Sequence, residues 1–249
     1  MNPLTNVLQI VGSGAIAYMM AVMLRDSKTR PTLLAGLQLA ESGSVPMLES
    51  LRDRAVREDD TWLAERLERH ASDERRHGYL FARALQRLGK QVVPLAERQR
   101  SRPETGQPDP FFGSYYEGYS REDLQPECID WLVFAASTHI LELDASKDFA
   151  RLARVLPEQE ARDRQLSQAL LSIARDEERH AAYLLEALHR RLPRREVAWL
   201  VDDWRERKVR AMLAMAGSFF QQGDRRLTLV RDGVPTEAGE VEVEELALA

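Results

Sequence analysis

The chain has 249 residues, of which 44% are hydrophobic and 30% charged, and it carries a formal net charge of −5. That is enough apolar material for a sizeable core, most simply one domain with appendages, and too much charge for a multi-span membrane protein. The single cysteine, Cys128, excludes a disulfide framework, a cysteine-based zinc site and a four-cysteine iron–sulfur or rubredoxin module, and it fits a reducing cytoplasm.

Only 7% of residues are aromatic, and long stretches rich in Ala, Leu, Glu and Arg favour helix. Residues 7–24, VLQIVGSGAIAYMMAVML, are the most apolar run. No basic segment precedes it and no small-residue cleavage site follows, so a secretory signal is not expected. A helix buried against the chain or a dimer partner, and a membrane anchor, both remain open. Gly12, Ser13, Gly14 and Gln9 weaken the anchor, whereas Arg25, Lys28 and Arg30 favour it.

From residue 31 the pattern is helical. A first long helix is predicted from Pro31 to about Glu58, bent near Gly43 and Pro46. Asp59 or Asp60 can cap a second helix that runs to a stop at Gly89. A third is predicted from about Pro126 to before Pro157, and a fourth from Pro157 to before Pro193. No strand alternation shows in this region. Between the second and third lies a long connection, 91–122, with PETGQPDPFFGSYYEGYS. Its aromatic residues, Phe111, Phe112, Tyr115, Tyr116 and Tyr119, can either lid a hydrophobic pocket or pin the connection in place. A fifth, basic helix is predicted over 193–222, then a flexible acidic tail or short hairpin over 223–249.

The two halves repeat each other. Residues 73–77 read Asp-Glu-Arg-Arg-His and residues 176–180 read Asp-Glu-Glu-Arg-His, 103 residues apart, each on the second helix of a pair. Glu and His at i and i+3 share a helix face, so both can reach one metal ion. One E-x-x-H in a Glu-rich helical chain is surface decoration more often than not. Two five-residue matches in equivalent places are far harder to obtain by chance.

A dinuclear site also needs one carboxylate from each of the other two helices. On the first, Glu41 shares a stripe with Leu34, Leu37, Val45 and Leu48, and a carboxylate on a core stripe is costly unless it is paired or coordinates a metal. Glu49 is the weaker candidate. On the third, Glu142 falls on the stripe of Trp131, Ala135, Thr138, Ala145, Phe149 and Leu152. Asp144 falls with Ser137, Lys147, Asp148 and Arg151 on what reads as the solvated side, so Glu142 is preferred. On the second helix Leu63, Leu67, His70 or Ala71, Glu74, His77, Phe81, Leu85 and Leu88 continue one face.

Six candidate ligands result: Glu41, Glu74, His77, Glu142, Glu177 and His180. Four carboxylates neutralise two divalent ions, and mixed oxygen and imidazole donors suit iron or manganese better than a thiolate-preferring metal. A ligating histidine usually donates its other N–H to a carboxylate. Asp73 and Asp176 can each serve the histidine of the opposite motif, with Arg76 and Arg179 neutralising buried charge. His70, His139 and His189 read as packing or surface residues, and Thr138 and Ser146 as ordinary helix hydroxyls.

In its paired D-E-x-R-H motifs, DERRHGYL and DEERHAAY, the chain resembles the ferritin-like di-iron carboxylate superfamily. It is similar there to hydroxylase subunits of bacterial multicomponent monooxygenases and to soluble acyl carrier protein desaturases. Over about 31–192 the resemblance implies an all-α, ferritin-like four-helix bundle with a long crossover, flanked by the apolar N-terminal helix (1–30) and the fifth helix. It implies that Glu74 and Glu177 bridge the metals and are the catalytic pair, that Glu41 and Glu142 bind at the ends, and that His77 and His180 serve one ion each. The expected activity is that of an oxygen-activating oxidoreductase with two iron ions, or iron with manganese. It would act on an organic, apolar substrate with O2 and electrons from a separate donor protein. A ferritin- or rubrerythrin-like iron oxidase or peroxide reductase has the same ligands, and a non-catalytic scaffold keeps the fold alone. The chain is shorter than either enzyme family and lacks rubredoxin-type cysteines. A homodimer is expected, and nucleic acid is not an expected partner. The basic run Arg190, Arg191, Arg194, Arg195, Arg205, Arg207, Lys208 and Arg210 is either a solvated face or a dock for an acidic carrier protein, RNA or an anionic membrane.

Overall fold

The computed structural model describes residues 3–94, 109–157, 159–222 and 229–233. Among them run seven helices: α1 (Pro3–Arg25), α2 (Arg30–Arg57), α3 (Thr61–Gln86), α4 (Pro110–Tyr115), α5 (Trp131–Arg154), α6 (Ala161–His189) and α7 (Arg194–Gln222). Two three-residue strands, β1 (Lys90–Val92) and β2 (Val230–Asp232), complete the described elements. Among the described residues the regular structure is all-helical apart from this ribbon. Its contacts fall into two units, one of Met1–Met19, Thr105–Arg151 and Leu171–Arg225, the other of Met20–Glu104, Leu152–Leu170 and Arg226–Ala249.

The second unit is organised by α2 and α3. Pro31 occupies the first turn of α2, where its missing N–H costs nothing, and Pro46 lies inside the same helix. Asp59 adopts φ +59°, which turns the chain. Asp60 then caps α3, its carboxylate accepting from Leu63 N at 3.0 Å. Glu41–His77, Glu49–Arg75 and Arg52–Glu68 pair the two helices. Their residue numbers fall on one helix as they rise on the other, so α2 and α3 are antiparallel. The predicted stripes are the buried ones: Leu34, Glu41, Val45 and Leu48 on α2, and Leu63, Leu67, His70, Glu74, His77, Phe81 and Leu85 on α3. Leu37 and Leu88 are half-buried. Each fully buried leucine or phenylalanine contributes about 1.5–3 kcal/mol, which outweighs the weak helix propensity of the Gly–Ser stretch at 42–44.

α2 and α3 approach closely at Gly78, next to His77. A Cβ there would overlap Ser42 Oγ. Gly78→Ala is therefore expected to destabilise the protein by about 1–3 kcal/mol in urea unfolding. Adding Ser42→Ala should recover that loss and expose the alanine's helix propensity gain of about 1 kcal/mol. If the double variant is no better than the single, the steric account fails.

α3 ends at Gln86, three residues before the predicted stop, and the chain turns through Gly89, φ +67°. It then enters β1, which pairs antiparallel with β2, Gln91 opposite Arg231. This corrects two expectations. A strand exists after the second long helix, and part of the C-terminal tail is tied to it rather than folded on itself. The pairing could not show as alternation because each strand has three residues. The rest of that tail, and residues 95–108 of the long connection, lie outside the described residues. In the same unit Arg30 binds the buried Asp163 at 2.9 Å. Their pair walls a cleft lined also by Leu34, Ala84, Arg87, Leu88, Arg162 and Leu166.

The other unit is built around Trp204 of α7. Tyr115 and Tyr116 meet its ring edge-on at centroid distances of 5.1 and 5.5 Å, and Tyr119 stacks at 6.1 Å. Tyr115 is fully buried and donates its hydroxyl to Ser137 O at 2.7 Å. Burial pushes that hydroxyl's pKa well above the ordinary tyrosine value, keeping it a neutral donor. These tyrosines pin the connection onto α5 and α7, and of its five aromatic residues Phe112 is the exposed one. Gly12 of α1 packs against Met212 of α7, where a Cβ would stand 3.2 Å from the methionine Cε. No helix among the described residues is long and apolar enough to cross a membrane.

Two further boundaries and one face differ from expectation. α5 starts at Trp131, not Pro126, because Asp130 is the residue whose carboxylate takes the first free amides, Leu132 N at 2.7 Å and Val133 N at 3.3 Å. α6 starts at Ala161 rather than Pro157, whereas α5 ends at Arg154 and α6 at His189, before Pro157 and Pro193 as expected. The Ser137–Asp144 face is not solvated. Both residues are buried, and Asp144 binds Lys208 Nζ at 2.7 Å and Lys147 Nζ at 3.2 Å.

Candidate metal centre

Both repeats of the D-E-x-R-H motif place a glutamate and a histidine in contact, and both add a glutamate from the neighbouring helix. In the α2–α3 pair, His77 Nδ1 lies 3.1 Å from Glu41 Oε2 and 3.6 Å from Glu74 Oε1. Ligand atoms of Glu41, Glu74 and His77 all fall within 4.8 Å of one another, and all three residues are buried. The α-helical rise explains it: three residues advance about 4.5 Å and return to nearly the same azimuth. Glu41 enters from the facing helix α2.

The second triad has the same form. His180 Nδ1 lies 3.3 Å from Glu177 Oε2 on its own helix and 3.9 Å from Glu142 Oε2 on α5. Glu177 and His180 are buried, and Glu142 is half-buried. One turn earlier on α5, His139 Nδ1 donates to Ala181 O at 2.8 Å, which fixes α5 against α6 beside His180. Burial holds the His139 imidazole below its usual pKa, so it is a neutral packing residue, as expected. His189 is exposed, and Ser146 Oγ donates back to Leu143 O at 2.9 Å as an ordinary helix hydroxyl. Glu49 pairs with Arg75 on the helix surface and Asp144 with two lysines, so neither joins a triad.

The residues around the triads are charged in pairs. Arg76 Nη2 lies 3.8 Å from Asp73, and Arg179 pairs with the buried Asp176. In the first repeat Ser44 Oγ stands 2.6 Å from Glu41 O and 3.1 Å from Glu74 Oε2. Burial pushes the Glu74 carboxyl up, but the His70 and His77 imidazoles outweigh it and hold its pKa well below the usual carboxylate range. Glu74 is thus an anion at neutral pH.

Sequence reasoning undervalued His70. It is buried, with Nε2 3.4 Å from Glu74 Oε1. Its place on the apolar stripe, one turn before Glu74, was the available signal, but Ala71 fits that stripe equally well.

The donor chemistry fits divalent metal. Buried carboxylates are costly without a cation nearby, and each triad presents oxygen donors around one imidazole nitrogen, a set that could hold a metal ion. No protein-family model, curated protein or solved structure matches the chain.

Proposed function

We propose that Glu41, Glu74, His77, Glu142, Glu177 and His180 hold two divalent metal ions, iron or iron with manganese, within a ferritin-like bundle. On this reading the chain is an oxygen-activating oxidoreductase acting on an organic, apolar substrate. One observation carries the reading: a Glu-Glu-His triad occurs twice, in two repeats of one sequence motif, with every member buried except the half-buried Glu142. A single triad has surface and packing explanations that a repeated, largely buried one lacks.

When bound, such ions supply the redox chemistry that oxygen activation requires. The chain's own residues do the rest. The glutamates, as anions, balance the ions' charge, and burial of Glu74, His77, Glu177 and His180 keeps bulk water from the ligands. The Asp73–Arg76 and Asp176–Arg179 pairs offset charge beside each motif and can orient the ligating imidazoles.

Reducing power then comes from a separate protein, since the chain offers one cysteine and no redox motif of its own. The basic run on α6 and α7 is the candidate dock, but much of it is committed internally. Lys208 is buried on Asp144, Arg190 pairs with Glu186, Arg205 with Asp202, and Arg207 with Asp203. Arg194 and Arg195 remain exposed beside Trp199, which is 69% exposed. Arg194→Glu/Arg195→Glu is expected to weaken binding of an acidic carrier or donor protein at least tenfold at low salt, read by titration calorimetry. Affinity that stays unchanged removes the dock.

The central test is metal content by mass spectrometry after anaerobic loading with ferrous iron and manganese. Two ions per chain, with oxygen uptake that a reductant sustains, is the expected result. Iron accumulating well beyond two per chain would favour the storage alternative, and peroxide consumption without oxygen uptake the peroxidase one. A folded chain that takes up no metal would overturn the reading.

A further inference from the structure

His70 lies on the same face of α3 as Glu74 and His77 and is 1% exposed. Its Nε2 addresses Glu74 Oε1 at 3.4 Å, the oxygen that His77 Nδ1 faces at 3.6 Å, while Ser44 takes Oε2. The spacing His-x-x-x-Glu-x-x-His puts all three side chains on successive turns of one buried face. The repeat does not require this. At the position equivalent to His70, 103 residues on, stands Ile173, fully buried. An aliphatic side chain therefore serves the packing role there, and a buried imidazole in its place costs desolvation unless it has polar work to do.

We propose that His70 is a seventh protein ligand of the metal pair, coordinating through Nε2 beside Glu74. The proposal rests on the dimetal reading above. The donor set then comprises three imidazoles and four carboxylates, distributed unequally between the repeats: His70, Glu74 and His77 on α3, against Glu177 and His180 alone on α6. A third imidazole adds no charge, so four carboxylates still balance two divalent ions. It occupies a coordination position that otherwise falls to water, which leaves the two ions with unequal room for an exogenous ligand. It also makes the set richer in nitrogen, which favours iron over manganese.

The alternative role for His70 is a hydrogen bond that merely positions Glu74, and cobalt(II) separates the two. In cobalt-loaded protein each coordinated imidazole keeps one exchangeable ring N–H, whose proton resonance is shifted far downfield by the paramagnetic ion. The native protein is expected to show three such resonances that vanish in D2O. His70→Gln retains a hydrogen-bond donor to Glu74 but no imidazole. It should show two, and bind cobalt on the order of 10–100-fold more weakly. His70→Ile, the residue the other repeat carries, should also show two. Two resonances in the native protein, or three in the glutamine variant, would overturn the ligand role while leaving the metal pair standing. A native protein that takes up no cobalt would overturn both. The native count decides the matter even where a variant folds poorly.

Discussion

Stripping metal from the loaded protein with a chelator is expected to lower its thermal midpoint by about 10 °C. An ion present at a thousand times its dissociation constant stabilises the fold that binds it by about 4 kcal/mol, and a chain of this size shifts by roughly 2–4 °C per kcal/mol. The large effect follows from where the ligands are. Glu41, Glu74, His77, Glu177 and His180 are all buried, so removing the ions leaves carboxylates with imidazoles as their near partners inside the protein. The metal-bound form should be the more acid-sensitive, since protons compete with the ions for the ligating imidazoles and carboxylates, and the metal-free form keeps a smaller acid dependence of its own. The Glu74 carboxyl titrates well below its unfolded value, near 4.3, because His70 and His77 outweigh its burial. Its contribution is complete above that unfolded value and is lost as pH falls toward the folded one. Scanning calorimetry with and without chelator, at pH 7 and pH 4, measures both effects. Coincident midpoints at pH 7 would mean that the buried triads do not bind the metal supplied.

The Asp144–Lys208 pair should be the most sensitive point away from the proposed metal ligands. The carboxylate and ammonium are 2.7 Å apart and both nearly inaccessible, on helices α5 and α7, with Lys147 adding a second contact at 3.2 Å. Lys208→Met leaves a buried carboxylate with one half-exposed lysine and is expected to cost about 3–5 kcal/mol. Replacing both residues, Asp144→Leu with Lys208→Met, removes the charges together and should fall within about 1 kcal/mol of the native protein or exceed it. Urea midpoints of the two singles and the double complete the cycle. Additive losses would show that the residues act independently. The pair should also yield to acid. Burial raises the Asp144 pKa, but Lys208 and Lys147 outweigh it and hold the carboxyl below its ordinary value. The stabilisation is therefore present above the unfolded aspartate pKa, near 3.9, and disappears as pH falls through the folded value.

Local chemistry and short-range periodicity were legible in the sequence. Asp60 as a cap and the buried faces of α2 and α3 both follow from rules that act within a few residues. The triads were legible too, because a repeated motif multiplies a weak local signal. What was not legible depended on partners far along the chain. Asp144 was read as solvated because acidic and basic neighbours surround it in sequence, while the lysine that buries it lies 64 residues away. The start of α5 was misplaced because it was set by Pro126 alone, although a cap that satisfies two amides, as Asp130 does, fixes a terminus more strongly than a proline that merely tolerates one. His70 was passed over because a stripe position shared with Ala71 says nothing about which neighbour touches Glu74.

The β1–β2 ribbon sets an order of events at the ribosome. Lys90 and Asp232 pair across 142 residues, whereas α2 and α3 meet across a three-residue turn. At a synthesis rate of about 5–20 residues per second, β1 waits roughly 7–30 seconds for its partner to be made. During that interval the α2–α3 hairpin can dock while β1 keeps an open edge available to any passing strand. Three residues give such a strand little to hold. The brevity that hid β1 from sequence inspection also shields the nascent chain from mispairing.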